Sequence, residues 1–149
     1  MKTVVQEKRT HPNRLGIGGW FYGGKFGAER YIFALHRLAG LGILLYFIIH
    51  IFVTGAKIHG QAAWQSAMSS VSGPLFHIGE YLVFAAIAFH GLNGIRLILA
   101  EFGLVLGKPK RPVYPYTTAN MRVRVLTWSL MILAVILMFV GGYDFFLMH

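Results

Sequence analysis

The sequence predicts an all-α membrane protein of three transmembrane helices, with its N-terminus on the cytoplasmic side. Three observations predict that fold class. More than half of the 149 residues are apolar, and they collect in three blocks, at about residues 31–53, 75–99 and 125–147. Each block is long enough to cross a hydrocarbon core of about 30 Å. Within them the only charged or imidazole side chains are histidines, Arg37, Arg96, Glu80 and Asp144, most near an end. Orientation comes from the basic residues. Of the 14 lysines and arginines, all but Lys57 lie before or just inside the first span, or at and between the second and third. Positive charge marks the cytoplasmic loops, so the N-terminus and second loop face the cytoplasm, and the first loop and C-terminus face outward.

One unit, residues 1–149, accounts for a chain of this length. Its net charge of +9 suits anionic membrane lipid and an acidic soluble partner. Nucleic acid is not expected as a partner, because the charge is divided between two segments flanking membrane spans. The chain has no cysteine, which excludes disulfides, thiolate haem ligation and cysteine-bound iron–sulfur clusters within it. The first thirty residues lack an apolar core of the kind a cleavable signal needs, so the first span must itself target the chain.

In chain order, residues 1–30 form a cytoplasmic segment in which glycines surround Trp20-Phe21-Tyr22. The glycines oppose a regular helix, and the aromatics suit the headgroup level or a docked partner protein. The first span carries His36-Arg37 near its cytoplasmic end and His50 near its outer end. Fourteen residues of helix bring those two histidines to within about 40° of one face, at depths about 21 Å apart. Arg37 either snorkels to the interface or, as a buried cation beside a histidine, holds a haem propionate or a quinone oxygen. The outer loop is small and polar, and residues 61–70 are expected to form a short surface helix. His59 and His77 are expected to be ordinary solvated histidines, and Glu80 an interfacial carboxylate. Three prolines between Lys108 and Tyr116 make the second loop an extended arm. The third span holds no histidine before the terminal His149, and is assigned to packing and lipid contact.

The informative stretch is Ala88-Phe89-His90-Gly91-Leu92-Asn93-Gly94-Ile95-Arg96 in the second span. A lipid-facing imidazole at that depth would be an uncompensated polar group, so His90 should face a protein interior. Ala86 and Gly94, four residues to either side, leave its helix face nearly bare. Such clearance fits a flat macrocycle held by the imidazole. It equally fits a histidine hydrogen-bonded across a close helix interface. Depth then limits the pairings. Counted from the cytoplasmic ends, His36 lies about 7–8 Å in, His90 about 13 Å and His50 about 28 Å. His50 and His90 therefore cannot grip one iron, whereas a haem shared by His36 and His90 stays open.

With Leu35-His36-Arg37-Leu38-Ala39-Gly40 in the first span, and Phe89-His90 through Gly94-Ile95-Arg96 and Glu101-Phe102-Gly103 in the second, the chain resembles the cytochrome b membrane-anchor subunits of succinate dehydrogenase (succinate:quinone oxidoreductase, complex II). The resemblance implies a haem-binding bundle formed with a second membrane-anchor subunit, and docking of an iron–sulfur subunit and a flavoprotein subunit. It implies one or two haems b, with His90 an axial ligand of the inner haem and His50 of an outer one. His36, Arg37 and Arg96 would lie at the haem propionates and the quinone site, and Glu101 on a proton route. The quinone would be menaquinone if transmembrane electron transfer through two haems applies. The implied role is a non-catalytic electron-transfer subunit of the cytoplasmic membrane. Two departures bear on the quinone pocket. Phe33 stands where many relatives have serine, and Leu97 where many have a second histidine.

Overall fold

The computed structural model describes residues 28–106 and 123–148. The aromatic N-terminal segment, the proline-rich arm and His149 lie outside the described residues. Among those described, every regular element is helical: α1 (Ala28–Gly55), a 3₁₀ turn (Ala56–His59), α2 (Gln61–Ser70), α3 (Pro74–Glu101) and α4 (Arg124–Leu147). α1 with the 3₁₀ turn, α3 and α4 are each long and apolar enough to cross a membrane. The expected spans are thus present, with ends within three residues of those expected, and the short helix over 61–70 has the expected bounds. By contacts the chain divides after Leu35, within α1, into residues 1–35 and 36–149. In the first unit, Arg30 lies over the Phe33 ring at 5.8 Å, and Ile32 and Ala34 are buried. The second unit holds the rest of α1 and all of α2, α3 and α4.

The helix ends follow from local chemistry. Gly60 and Gly73, at φ +93° and +141°, are the residues before α2 and α3. Pro74, whose missing N–H is no loss in a first turn, opens α3. The other end of α3 stops on Gly103 at φ +72°. There Leu104 N–H donates to Leu99 O and Gly103 N–H to Ala100 O, both at 3.0 Å. These two bonds form a Schellman turn, which satisfies carbonyls the helix end leaves open and needs a residue free to take positive φ.

α3 and α4 pack closely and antiparallel. In lipid there is little hydrophobic drive between helices, so small residues and interhelical hydrogen bonds do this work. Gly141 receives the Phe84 ring, and a Cβ at Gly142 would meet the Tyr81 hydroxyl at 3.2 Å. Tyr81 O–H donates to Met138 O at 3.1 Å. Arg96 Nη1 donates to Thr127 Oγ1 at 3.2 Å, and that hydroxyl donates to Val123 O at 2.9 Å. Thr127, Met131 and Ala134, at helical spacing, are the buried stripe of α4. The third span therefore does pack, as expected, and it also supplies a polar partner to Arg96.

His77 differs from the solvated histidine expected of it. It is half-buried, and its Nε2 lies 2.6 Å from Phe145 O. A carbonyl only accepts, so Nε2 carries the hydrogen and caps one of the last open carbonyls of α4. Glu80 lies 3.8 Å from its Nδ1, and the Phe145 and Phe146 rings flank it at centroid distances of 5.3 and 5.6 Å. The turn residues Gly73-Pro74 place His77 one turn into α3, opposite the end of α4.

Candidate functional site

From His36 onward, α1 meets α3 through imidazoles. The His36 and His90 rings stack with centroids 3.9 Å apart and planes 6° from parallel. His90 Nδ1 lies 3.0 Å from the His36 carbonyl oxygen. Because that oxygen can only accept, Nδ1 carries the hydrogen, and the lone pair of the neutral ring is left on Nε2. The bond thus fixes both the tautomer and the ring's orientation. Gly40, one turn beyond His36, is the second half of the cradle. A Cβ there would stand 2.8 Å from His90 Cε1 and 3.3 Å from Nδ1, so only glycine admits the ring at this separation.

Two contacts describe the surroundings of His90. The bare face around His90 is partly taken by histidine: Gly94 faces His36, whose Cε1 would lie 4.0 Å from a Cβ at that position. And the two rings present faces to each other. His36 therefore acts on His90 as neighbour and hydrogen-bond acceptor.

Arg96 Nη1 donates to Thr127 on α4. Arg37 follows His36 on the exposed side of α1, and Glu101 is exposed at the end of α3. Among the described residues no group of three or more histidines, cysteines or carboxylates converges as a metal site.

His50 stands apart at the other level of α1. Its Nδ1 lies 3.4 Å from Tyr46 Oη, one turn earlier, and it borders a cavity of about 440 Å³. Helices α1, α2 and α3 all contribute to its wall, with Tyr46, Trp64, Met68, Glu80 and Val83 beside His50. Lys57 Nζ sits 4.4 Å from the Trp64 ring centroid, a cation–π contact that holds the roof residue from the 3₁₀ turn. Glu80, read from sequence as only interfacial, thus shares a cavity with His50.

Sequence reasoning missed Tyr46, Thr127 and Asn93. The first was available from i, i+4 spacing to His50. Thr127 carried no signal, since a threonine in an apolar span most simply bonds its own helix. Asn93, a lone amide in mid-span, was visible in the motif, but its surroundings were not.

Among curated proteins, the chain is similar to the succinate dehydrogenase 2 membrane subunit SdhC of Mycobacterium tuberculosis, at 30% identity over 67 residues, which cover 45% of this chain and 49% of that protein. It is also similar to the succinate dehydrogenase hydrophobic membrane anchor subunit of Halobacterium salinarum, at 26% identity over 91 residues, covering 60% and 70%. The match spans about half the length of the first relative. No solved structure matches. The description of the succinate dehydrogenase/fumarate reductase transmembrane subunit family matches residues 21–140. That stretch takes in the whole His36–Gly40–His90 cradle and nearly all of the three spans, and the chain belongs to this family of membrane anchor subunits.

Proposed function

We propose that this multi-pass anchor binds haem b and carries electrons from an iron–sulfur subunit to quinone, with menaquinone the quinone of a two-haem form. The assembly would include a flavoprotein subunit, where the dicarboxylate is oxidised, and a second membrane anchor. The N-terminus would lie on the cytoplasmic side, by the placement of its basic residues. One observation carries the reading. His90 is held by a backbone carbonyl and a glycine so that Nε2 keeps a lone pair, the state an imidazole needs to ligate a metal.

A haem would supply a one-electron carrier whose potential answers to its axial ligands, burial and nearby charge. The residues of this chain fit that group. His90 Nε2 would ligate the iron, and the second anchor would supply a further ligand. The His36 carbonyl would orient the ring and raise its basicity. Arg37 and Arg96, with His36, would neutralise propionates and bind a quinone oxygen, and Glu101 would lie on the proton route. At the other level, His50 would ligate an outer haem beside the cavity, with Tyr46 accepting from Nδ1 to leave Nε2 open. A haem-free anchor is the second reading, favoured by the His36 ring that occupies space against His90.

A haem-to-flavin ratio on the purified complex, by pyridine haemochrome against bound flavin, tests this. Two haems in the parent, with one lost in His90→Ala and one in His50→Ala, is the expected result. A parent with one haem indifferent to His50→Ala would remove the outer site. A parent with none would leave a structural anchor.

A further inference from the structure

Thr127 lies in the first turn of α4 and is 3% exposed. A threonine hydroxyl ordinarily rotates to suit its neighbours, donating or accepting as they require. This one is committed. Its hydrogen goes to Val123 O at 2.9 Å, the carbonyl that also receives the Thr127 N–H at 2.9 Å. Toward α3, Oγ1 is therefore an acceptor, and Arg96 Nη1 donates to it at 3.2 Å. A guanidinium is planar and rigid, so one directed bond at Nη1 restricts where the whole charge can lie. Enclosed as it is, the position gives water little access to replace the hydroxyl.

Stability alone does not account for this choice of partner. The N-terminal end of a helix carries partial positive charge and favours anions, yet the first turn of α4 has no acidic residue, and a guanidinium meets it through a neutral hydroxyl. Such an anchor holds the cation without cancelling its charge, as a carboxylate would. Arg96 lies six residues beyond His90, about 9 Å further along α3. In the interior of the spans, where the dielectric is far below that of water, a charge at that range acts strongly on an electron accepted at His90.

We propose that Thr127 is a positioning residue for electron transfer: it holds the Arg96 guanidinium at a fixed place relative to a haem on His90, and so raises that haem's reduction potential. The proposal rests on the haem reading above. A cation held there favours the state with one more electron, because that state carries one more negative charge. The electron comes from the iron–sulfur subunit of that reading and passes on to quinone, so no further reactant is needed. Thr127 itself touches neither haem nor quinone in this account and acts only through Arg96. The third span then contributes to the chemistry without a histidine of its own.

The test is redox potentiometry of the haem absorption bands in the whole complex, with Thr127→Val, Thr127→Ser and Arg96→Leu beside the parent. Thermal midpoints are read in parallel. Expected is a lower reduction potential in Thr127→Val, recovered in Thr127→Ser, which keeps the hydroxyl, and lowered at least as far in Arg96→Leu. A lower thermal midpoint in Thr127→Val with an unchanged or raised potential would overturn the proposal, since the threonine would then have only a structural role. So would a potential in Thr127→Ser as low as in Thr127→Val. If Thr127→Val fails to assemble, Thr127→Ala is read in its place, with the same two outcomes. A parent that holds haem, with a potential indifferent to all three variants, overturns the proposal and leaves the haem reading standing. A parent without haem overturns both.

Discussion

Gly40→Ala probes the cradle of His90 directly. The added methyl would stand 2.8 Å from Cε1 and 3.3 Å from Nδ1, where comfortable carbon separations are about 3.5–4.0 Å. The imidazole cannot simply swing aside. One face is stacked at 3.9 Å on His36, and Nδ1 is tied at 3.0 Å to the His36 carbonyl. Overpacking of this kind costs about 1–3 kcal/mol, and losing the hydrogen bond adds about 0.5–1.5 kcal/mol. Against this, alanine is favoured over glycine in a helix by about 1 kcal/mol. The net expectation is destabilisation by about 1–3 kcal/mol. Gly42→Ala is the internal control, since nothing lies within 4 Å of a Cβ there; it should be neutral or stabilising by up to about 1 kcal/mol. Denaturant or thermal unfolding in one detergent measures both, and, on the proposed haem reading, the Soret band of the assembled complex would report on the displaced imidazole. A Gly40→Ala protein as stable as Gly42→Ala, with an unchanged spectrum, would refute the cradle.

Gly141→Ala should loosen the α3–α4 pair, because its Cβ would stand 2.7 Å from Phe84 Cζ and closer still to Cε1; a loss of about 1–3 kcal/mol is expected by thermal unfolding, and no loss would show that the ring moves freely. Thr127→Val keeps the shape but removes the acceptor of Arg96 Nη1. A loss of about 1.5–3 kcal/mol, the range for hydrogen bonds to charged groups, is expected, and an unchanged midpoint would mean that Arg96 finds another acceptor at no cost. His77→Ala uncaps Phe145 O and should cost about 1 kcal/mol, with faster amide exchange confined to the last turn of α4; exchange that rises evenly along α4 would argue against a cap. Arg37→Ala should lower quinone reductase activity relative to succinate oxidation with an artificial soluble acceptor. Equal loss of both would overturn the proposed place of Arg37 at a quinone site.

The spans were legible because a bilayer asks a one-dimensional question: is there enough unbroken apolar length. Three blocks answered it. His90 was legible as a site because an imidazole in mid-membrane demands a partner whatever surrounds it. The depth estimate separated His50 from His90, and in the structure His50 borders a cavity one level away from the His36–His90 pair.

Partner identity was not legible, because it depends on how helices turn toward one another. Nothing in the spacing tells that His77 reaches a carbonyl at the end of α4, 68 residues on. Nor does it tell that Arg96 donates to Thr127 on α4. A rotation of one helix by a few tens of degrees would exchange these partners with no change in sequence pattern. The sequence by itself determined the number of spans and, to within three residues, their ends. Tertiary structure decided that His36 stacks on His90 and fixes its tautomer, that Gly40 makes room for the ring, and that Asn93 is enclosed without a protein partner. Length and hydropathy are properties of one helix, whereas tautomer and satisfaction are set by atoms of another.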